Sequence, residues 1–179
     1  MWVDEKMSNP NLIHIDQAIK ELKEYTKIYN LSQGIDIGAK NNYAAIKIQE
    51  ELKIPCMALD INRGEGVFIK GLMEDLPVHN NMVDLIFCSH TFEHTIDPIK
   101  TIKEFHRILK PSGFLYLQTP FPCLESYYNL DYSHTFVLDL NQLGVLFQRY
   151  GFKIIDAKLR AGKSEEDRDK NQVMFMVKV

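Results

Sequence analysis

Apolar residues recur along this chain in two rhythms, and the changes of rhythm mark its elements. Ile15, Ala18, Ile19, Leu22, Tyr25 and Tyr29 return every three or four residues, which predicts one buried face of a helix. "GIDIG", Gly34 to Gly38, is a short apolar run closed by glycine and predicts a strand. Ala44, Ala45, Ile48 and Leu52 mark a second helix, stopped near Pro55. "CMALDI" (56–61) and "VFIKG" (67–71) predict a second and a third strand. "VDLIFCS", Val83 to Ser89, is apolar without alternation, as in a strand covered on both faces.

The second half is punctuated more sharply. Asp97 can cap a helix and Pro98 fits its first turn. Ile99, Ile102, Phe105 and Leu109 form its inward stripe, and Pro111 and Gly113 stop it. "FLYLQTP" (114–120) predicts a fifth strand. Asp139 and Gln142 have capping-box spacing for a helix over 140–150, with Gly151 as its stop. "FKIIDAKL" and "QVMFMVKV" predict an antiparallel hairpin across a polar loop. Strands alternating with helices predict an α/β fold, a doubly wound, mostly parallel seven-stranded sheet with a C-terminal hairpin. One domain over 1–179 is expected, with 1–31 as an N-terminal helical segment and 32–179 as the α/β core. Ligands of such sheets bind at the carboxyl ends of the strands. The candidates are therefore strand-end residues: Asp36, Gly38, Asp60, Gly71, Ser89 and His90.

Composition narrows the function. A hydrophobic content of 45% suffices for a sizeable core, and a formal net charge of -3 gives no electrostatic footprint for nucleic acid. No apolar run approaches ~20 residues, so no membrane span is expected. Cys56, Cys88 and Cys123 are widely spaced and form no paired framework. Free thiols, together with an acidic and polar N-terminus unlike a signal peptide, predict a cytoplasmic protein.

"HTFEH", His90 to His94, fits the H-x-x-E-H pattern of zinc peptidases. Its position argues against that chemistry. It begins where a buried strand ends, and Asp97-Pro98 starts a helix just after it, so the stretch is a strand-to-helix turn. No second acidic cluster supplies a further ligand, and no metal is expected.

The run from Leu72 to Phe121 resembles the class I S-adenosylmethionine-dependent methyltransferases, in particular their small single-domain branch. The resemblance is carried by Leu76-Pro77, Val83-Asp84-Leu85-Ile86, Phe92-Glu93-His94, Asp97-Pro98 and the stretch Glu104 to Gly113. His134, Leu143 and Gly151-Phe152 extend it, so that it covers roughly Gly34 to Leu159. It implies a Rossmann-like fold, S-adenosylmethionine as cofactor, and "HTFEH" as the turn beside cofactor and substrate. Physical reasoning supports part of the cofactor site. Asp60 stands 22 residues after Gly38 at a strand end, where a carboxylate can accept from ribose hydroxyls. The expected cofactor contacts are Asp36, Gly38, Ala39, Lys40, Asp60, Ile61, Leu72, Met73, Glu74, Ser89 and His90.

Three departures from the family pattern stand out. The acidic-x-Gly-x-Gly-x-Gly loop reads "DIGAKNN", with Lys40 and Asn42 in place of the second and third glycines. Leu72 stands where an aspartate would accept from adenine. Only "NRGEGV" separates the second and third strands, too short for the usual crossover helix. For methyl transfer, His90, Glu93, His94 and His134 are the candidate bases, and the sequence does not choose between His94 and His134. Tyr127, Tyr128 and Tyr132 lie near His134 in sequence and could line an acceptor pocket. The expected partner is a small-molecule or carrier-bound acceptor. The alternative is a non-catalytic protein on this fold, a binding or assembly module with weak or lost cofactor binding.

Overall fold

The structure is a computed structural model that describes residues 10–62, 66, 69–122, 133–160 and 171–179. Its elements, in chain order, are α1 (Pro10–Tyr29), β1 (Gly34–Ile37), α2 (Tyr43–Lys47), β2 (Cys56–Asp60), β3 (Ile69–Lys70), β4 (Val83–Ser89), α3 (Pro98–Ile108), β5 (Leu109–Pro120), α4 (Leu140–Arg149), β6 (Phe152–Arg160) and β7 (Asn171–Lys178). The strands form one seven-stranded sheet in the order β3-β2-β1-β4-β5-β7-β6. The first five are parallel, and β7 runs antiparallel between β5 and β6. The chain leaves β1 toward one edge and returns to lay β4 on its other side. The switch in strand order therefore falls between β1 and β4.

The strand residues divide by parity onto two cores. Ile86 and Cys88 of β4, Leu115 and Leu117 of β5, and Met174 and Met176 of β7 pack with Ile102 and Phe105 of α3 and Leu143 and Phe147 of α4. Leu85, Phe87, Phe114, Tyr116, Val173 and Phe175 face the other way, onto Ala18, Ile19 and Leu22 of α1 and Ala44 of α2. A period of two puts successive side chains on opposite faces, and helices cover both. That is why β4 reads as an unbroken apolar run.

The predicted caps are present. The Asp97 carboxylate accepts from the Lys100 amide, and Asp139 and Gln142 close a reciprocal capping box. Three boundaries differ from the sequence reading. Leu109 is not the end of the helical stripe: Ile108 is the last residue of α3, and Leu109 is extended and pairs with Val83. Pro111 lacks the amide a helix would need two residues on and biases its predecessor toward extended backbone. The second helix keeps α-geometry only to Lys47, and Ile48–Leu52 widens into a π-helical turn. The third strand is two residues long, Ile69–Lys70; Val67 and Phe68 lie outside the described residues. Even so, β3 pairs parallel with β2, Leu59 opposite Ile69 and Asp60 opposite Lys70. Eight residues, 61–68, join them, fewer than the dozen or so that a parallel crossover usually takes.

Candidate functional site

The carboxyl ends of β1, β2, β3 and β4 bring most of the predicted residues together. Beyond β1 the backbone turns left-handed at alternate residues: φ is 78° at Gly38, 50° at Lys40 and 54° at Asn42. Those are the three positions a Gly-x-Gly-x-Gly loop would occupy. The loop thus keeps the glycine path while carrying a lysine and an asparagine. Two contacts hold it there. The Lys40 amide donates to Asp60 Oδ2 at 2.9 Å, and Asn42 Nδ2 donates to the Gly66 carbonyl at 3.0 Å. The Lys40 side chain is exposed, leaving the backbone path clear. Gly38 is required for a second reason. A Cβ there would stand 2.1 Å from Thr91 Oγ1, so the glycine loop abuts the turn after β4.

Asp36 and Asp60 differ sharply in environment. Asp36 is 4% exposed. Burial pushes its carboxyl up to about 7; the Ala45 amide opposes that shift and the Asp60 charge adds to it. Asp60 is half-buried, and each of its oxygens accepts one backbone amide, from Lys40 and Asn62. A carboxylate oxygen has two acceptor directions, so Asp60 keeps capacity for the two hydroxyls of a ribose. Ile61, just past Asp60, and Leu72, just past Gly71, are 56% and 49% exposed. The β2–β3 register sets them at neighbouring strand ends, where their apolar surfaces suit the faces of a flat ring. These features fit an adenosine moiety.

Other predicted contacts have work already. Ala39 is buried, and its amide shares the Leu59 carbonyl with that of Gly38. The Met73 side chain packs on the core, which leaves its backbone for any ligand. Glu74 reaches across to the segment after "HTFEH": Oε1 accepts from the Thr95 hydroxyl and, at 2.8 Å, from the Ile96 amide. These bonds hold its carboxyl below the usual range, although burial opposes them.

The "HTFEH" stretch is a strand-to-helix turn, as expected: Phe92–His94 forms one turn of 3₁₀ helix. Its two histidines diverge. His90 is left-handed at φ 51°, and its Nε2 lies 3.0 Å from Gln118 Nε2. Gln118 Oε1 already accepts from Tyr116 and Arg160, so its Nε2 must be the donor. The neutral His90 ring therefore carries its proton on Nδ1, which lies 3.5 Å from Glu93 Oε1. That is an ion-pair separation, too long for a good hydrogen bond. His94 points away, its Nδ1 2.9 Å from the Ser133 carbonyl and its ring centroid 4.9 Å from that of His134. The structure thus joins Glu93, His94 and His134, which lie in two separate stretches of sequence. Tyr127, Tyr128 and Tyr132 fall outside the described residues.

Sequence reasoning missed the polar layer under this turn. Arg160, 6% exposed, donates to Gln118 Oε1 at 2.8 Å and to Glu21 Oε2 at 2.7 Å, linking β5, β6 and α1. The signal available was Gln118, a polar residue at the end of an otherwise apolar strand.

Known proteins place this geometry. The S-adenosylmethionine-dependent methyltransferase structure from Aquifex aeolicus superposes with a TM-score of 0.70 at 18% identity, covering 98% of this chain and 96% of that one. The [4+2]-cyclase SpnF superposes with a TM-score of 0.75 at 13% identity, over 91% of this chain and 80% of that one. Malonyl-[acyl-carrier protein] O-methyltransferase 1 from Coxiella burnetii is 31% identical over 94 residues, 49% of this chain and 33% of the relative. The chain spans about a third of the length of the curated relatives it matches. The methyltransferase-domain family profile matches residues 14–157, most of the chain. With that match and a sheet in the order 3-2-1-4-5-7-6, the chain belongs to the methyltransferase-domain family, whose methyl donor is S-adenosylmethionine.

Proposed function

We propose that this protein transfers a methyl group from S-adenosylmethionine to a small or carrier-borne acceptor. The observation that carries the proposal is the left-handed backbone at residues 38, 40 and 42 beside Asp60. Hydrogen bonds to Asp60 and to the Gly66 carbonyl hold Lys40 and Asn42 in a conformation suited to glycine. A loop that must let a ligand run along bare backbone requires that conformation.

Under this reading Asp60 accepts from the ribose hydroxyls, and Ile61 and Leu72 flank the purine. The backbone of Gly38, Ala39 and Lys40 follows the methionine part, with Asp36 below it. Ser89 and His90 border the same crevice from β4. The bound cofactor supplies an electrophilic methyl on a sulfonium sulfur. The chain's remaining tasks are to orient the acceptor and to receive its proton. Glu93 and His94 stand on the turn that touches the glycine loop through Thr91, and His134 meets them from the segment after β5, so these three are the groups for that proton. The carrier-borne form of the acceptor is supported by the Coxiella burnetii relative, whose name gives an acyl-carrier protein as its substrate.

Calorimetric titration with S-adenosylmethionine and S-adenosylhomocysteine tests the reading. Micromolar binding is expected, weakened ten- to a hundredfold in Asp60→Ala, the loss of hydrogen bonds to a charged acceptor worth about 1.5–3 kcal/mol. Saturation at ~100 times the dissociation constant should stabilise the fold by about 2.7 kcal/mol. Absence of heat and of thermal shift at millimolar ligand overturns the proposal in favour of a non-catalytic binding module.

A further inference from the structure

We propose that Glu93, His94 and His134 form a divalent transition-metal site. The argument starts from Glu93. Its side chain is 2% exposed, and neither carboxylate oxygen has a hydrogen-bond partner. His90 Nδ1 lies 3.5 Å from Glu93 Oε1, beyond good hydrogen-bond range. An ionised carboxylate left buried in this way costs several kcal/mol, and proteins normally answer it with a partner charge or a metal.

The groups that surround it are metal ligands. One ligand atom each from Glu93, His94 and His134 lies within 4.8 Å of the others. Ligand atoms around a cation at about 2.0–2.2 Å stand roughly 3–3.5 Å apart, so small rotamer shifts close the set. The two imidazole rings are tilted by 56° rather than stacked, as two ligands converging on one point would be. His94 is already oriented. A carbonyl oxygen accepts only, so the contact with Ser133 O puts the proton on Nδ1 and leaves the Nε2 lone pair for a metal. This is the arrangement in which a backbone carbonyl fixes the tautomer of a ligating histidine.

The two stretches that carry the ligands are laced together. The Thr135 amide donates to the Glu93 carbonyl at 2.9 Å, and the Thr135 hydroxyl donates to the carbonyls of Glu93 and Thr95. Phe92, at the start of the turn, is wedged among Phe105, Phe136 and Phe147. The ligands thus need no large rearrangement to meet. This differs from the zinc-peptidase reading of H-x-x-E-H. That reading pairs His90 with His94, whereas here His90 turns to Gln118 and the third ligand comes from the loop after β5. The chain has no second acidic cluster to match because the missing ligand is a histidine some forty residues downstream.

Two imidazoles and one carboxylate suit Zn²⁺, Co²⁺ or Mn²⁺ and do not suit Mg²⁺ or Ca²⁺, which prefer all-oxygen shells. Three protein ligands leave open positions for water or for oxygens of a substrate. One consequence rests on the methyl-transfer reading: with the three side chains holding the metal, an acceptor hydroxyl placed there would lose its proton more readily, and to water rather than to them. The binding site itself does not depend on that reading.

Cobalt titration tests it without S-adenosylmethionine, so failure here and failure of cofactor binding are separate results. Protein freed of metal with a chelator is titrated with Co²⁺ and followed by visible absorption, with Zn²⁺ and Mg²⁺ as competitors. One equivalent of Co²⁺ should give a d–d spectrum that Zn²⁺ abolishes and excess Mg²⁺ does not. His134→Ala, at a partly exposed position, and Glu93→Gln should each weaken binding at least a hundredfold. Circular dichroism reports whether either variant has unfolded. The exposed His79→Ala should bind as the wild type does. A wild-type protein with no Co²⁺ spectrum at millimolar metal overturns the proposal. Binding retained in folded His134→Ala, lost equally in His79→Ala, or displaced by Mg²⁺ also overturns it.

Discussion

Two neighbouring positions of one loop make opposite demands. Gly38 and Lys40 both sit in the left-handed region. At Gly38 a side chain meets Thr91, with an added Cβ 2.7 Å or less from three of its atoms. Gly38→Ala is therefore expected to cost about 2 kcal/mol or more, from strain and clash together. At Lys40 the side chain is exposed and only the backbone is under strain. Lys40→Gly should be neutral or stabilising by up to about 1 kcal/mol, the relief of φ offset by the freer unfolded chain. Urea unfolding of both variants checks the pair, and a stable Gly38→Ala beside a weakened Lys40→Gly would refute the account. The residues that carried the family resemblance prove on the same scale to be largely staples. Asp84 accepts from the Ser32 and Gln33 amides and from Lys110, fastening the start of β4 to that of β1. Arg107 donates to Glu104 and to the carbonyls of Leu76 and Val78, holding the approach to β4.

At the scale of elements, α1 is the piece whose attachment is most specific. It buries Ala18, Ile19 and Leu22 and stacks Tyr25 on Phe175, and its Glu21 meets Arg160 in a nearly buried ion pair. Glu21→Ala would leave the Arg160 cation buried with its charge unanswered, at an expected cost of about 2–3 kcal/mol. Replacing both partners, Glu21→Leu with Arg160→Met, should cost distinctly less than Glu21→Ala alone. Denaturant unfolding measures both, and amide exchange should show α1 opening first in the single variant. A double variant weaker than the single would show that the pair itself stabilises the docking. The elements were largely legible in sequence because their signals are local: apolar period, caps, glycine and proline stops. The exceptions are where tertiary pairing decides. Leu109 continues the helical spacing but is claimed by Val83 of β4. The contact between Glu93 and the loop around His134, and the Gln118–Arg160–Glu21 chain, depend on strand order. No periodicity encodes that order, so the sequence showed the groups of the site and not their meeting.

For the molecule as a whole, the buried carboxyls set a stability that peaks in mildly acid solution. Glu74, Asp84 and Glu104 are held below their ordinary values of 4.5, 3.8 and 4.5 by hydrogen bonds that outweigh burial in the first two, and by Arg107 first of all in Glu104. A depressed carboxyl stabilises the fold above its unfolded pKa, and that contribution is lost as pH falls through the folded value. These three therefore fail together below about pH 4. His106 has the same sign: burial, and then the Lys178 charge, lower it, so folding weakens as pH falls below its ordinary 6.5. Asp36 works in the opposite direction. Burial raises it from 3.8 to about 7, so the folded state binds the extra proton between those values. Stability from Asp36 is full below about pH 4 and is lost as pH rises through 7. Asp36 carries the large shift and is deeply buried, so it dominates that window, and the melting temperature should be highest at about pH 4–5, where its contribution and that of the depressed carboxyls balance. Asp36→Asn removes the titration while keeping the shape. It should stabilise the protein at pH 8 by on the order of 1–3 kcal/mol and move the optimum toward neutrality. Thermal melts of both proteins from pH 4 to 9 decide the matter, since equal slopes between pH 5 and 8 would mean that Asp36 is not the group that limits stability there. The same substitution links fold to site: a carboxyl that costs stability at neutral pH stands two residues before Gly38, where the left-handed path begins.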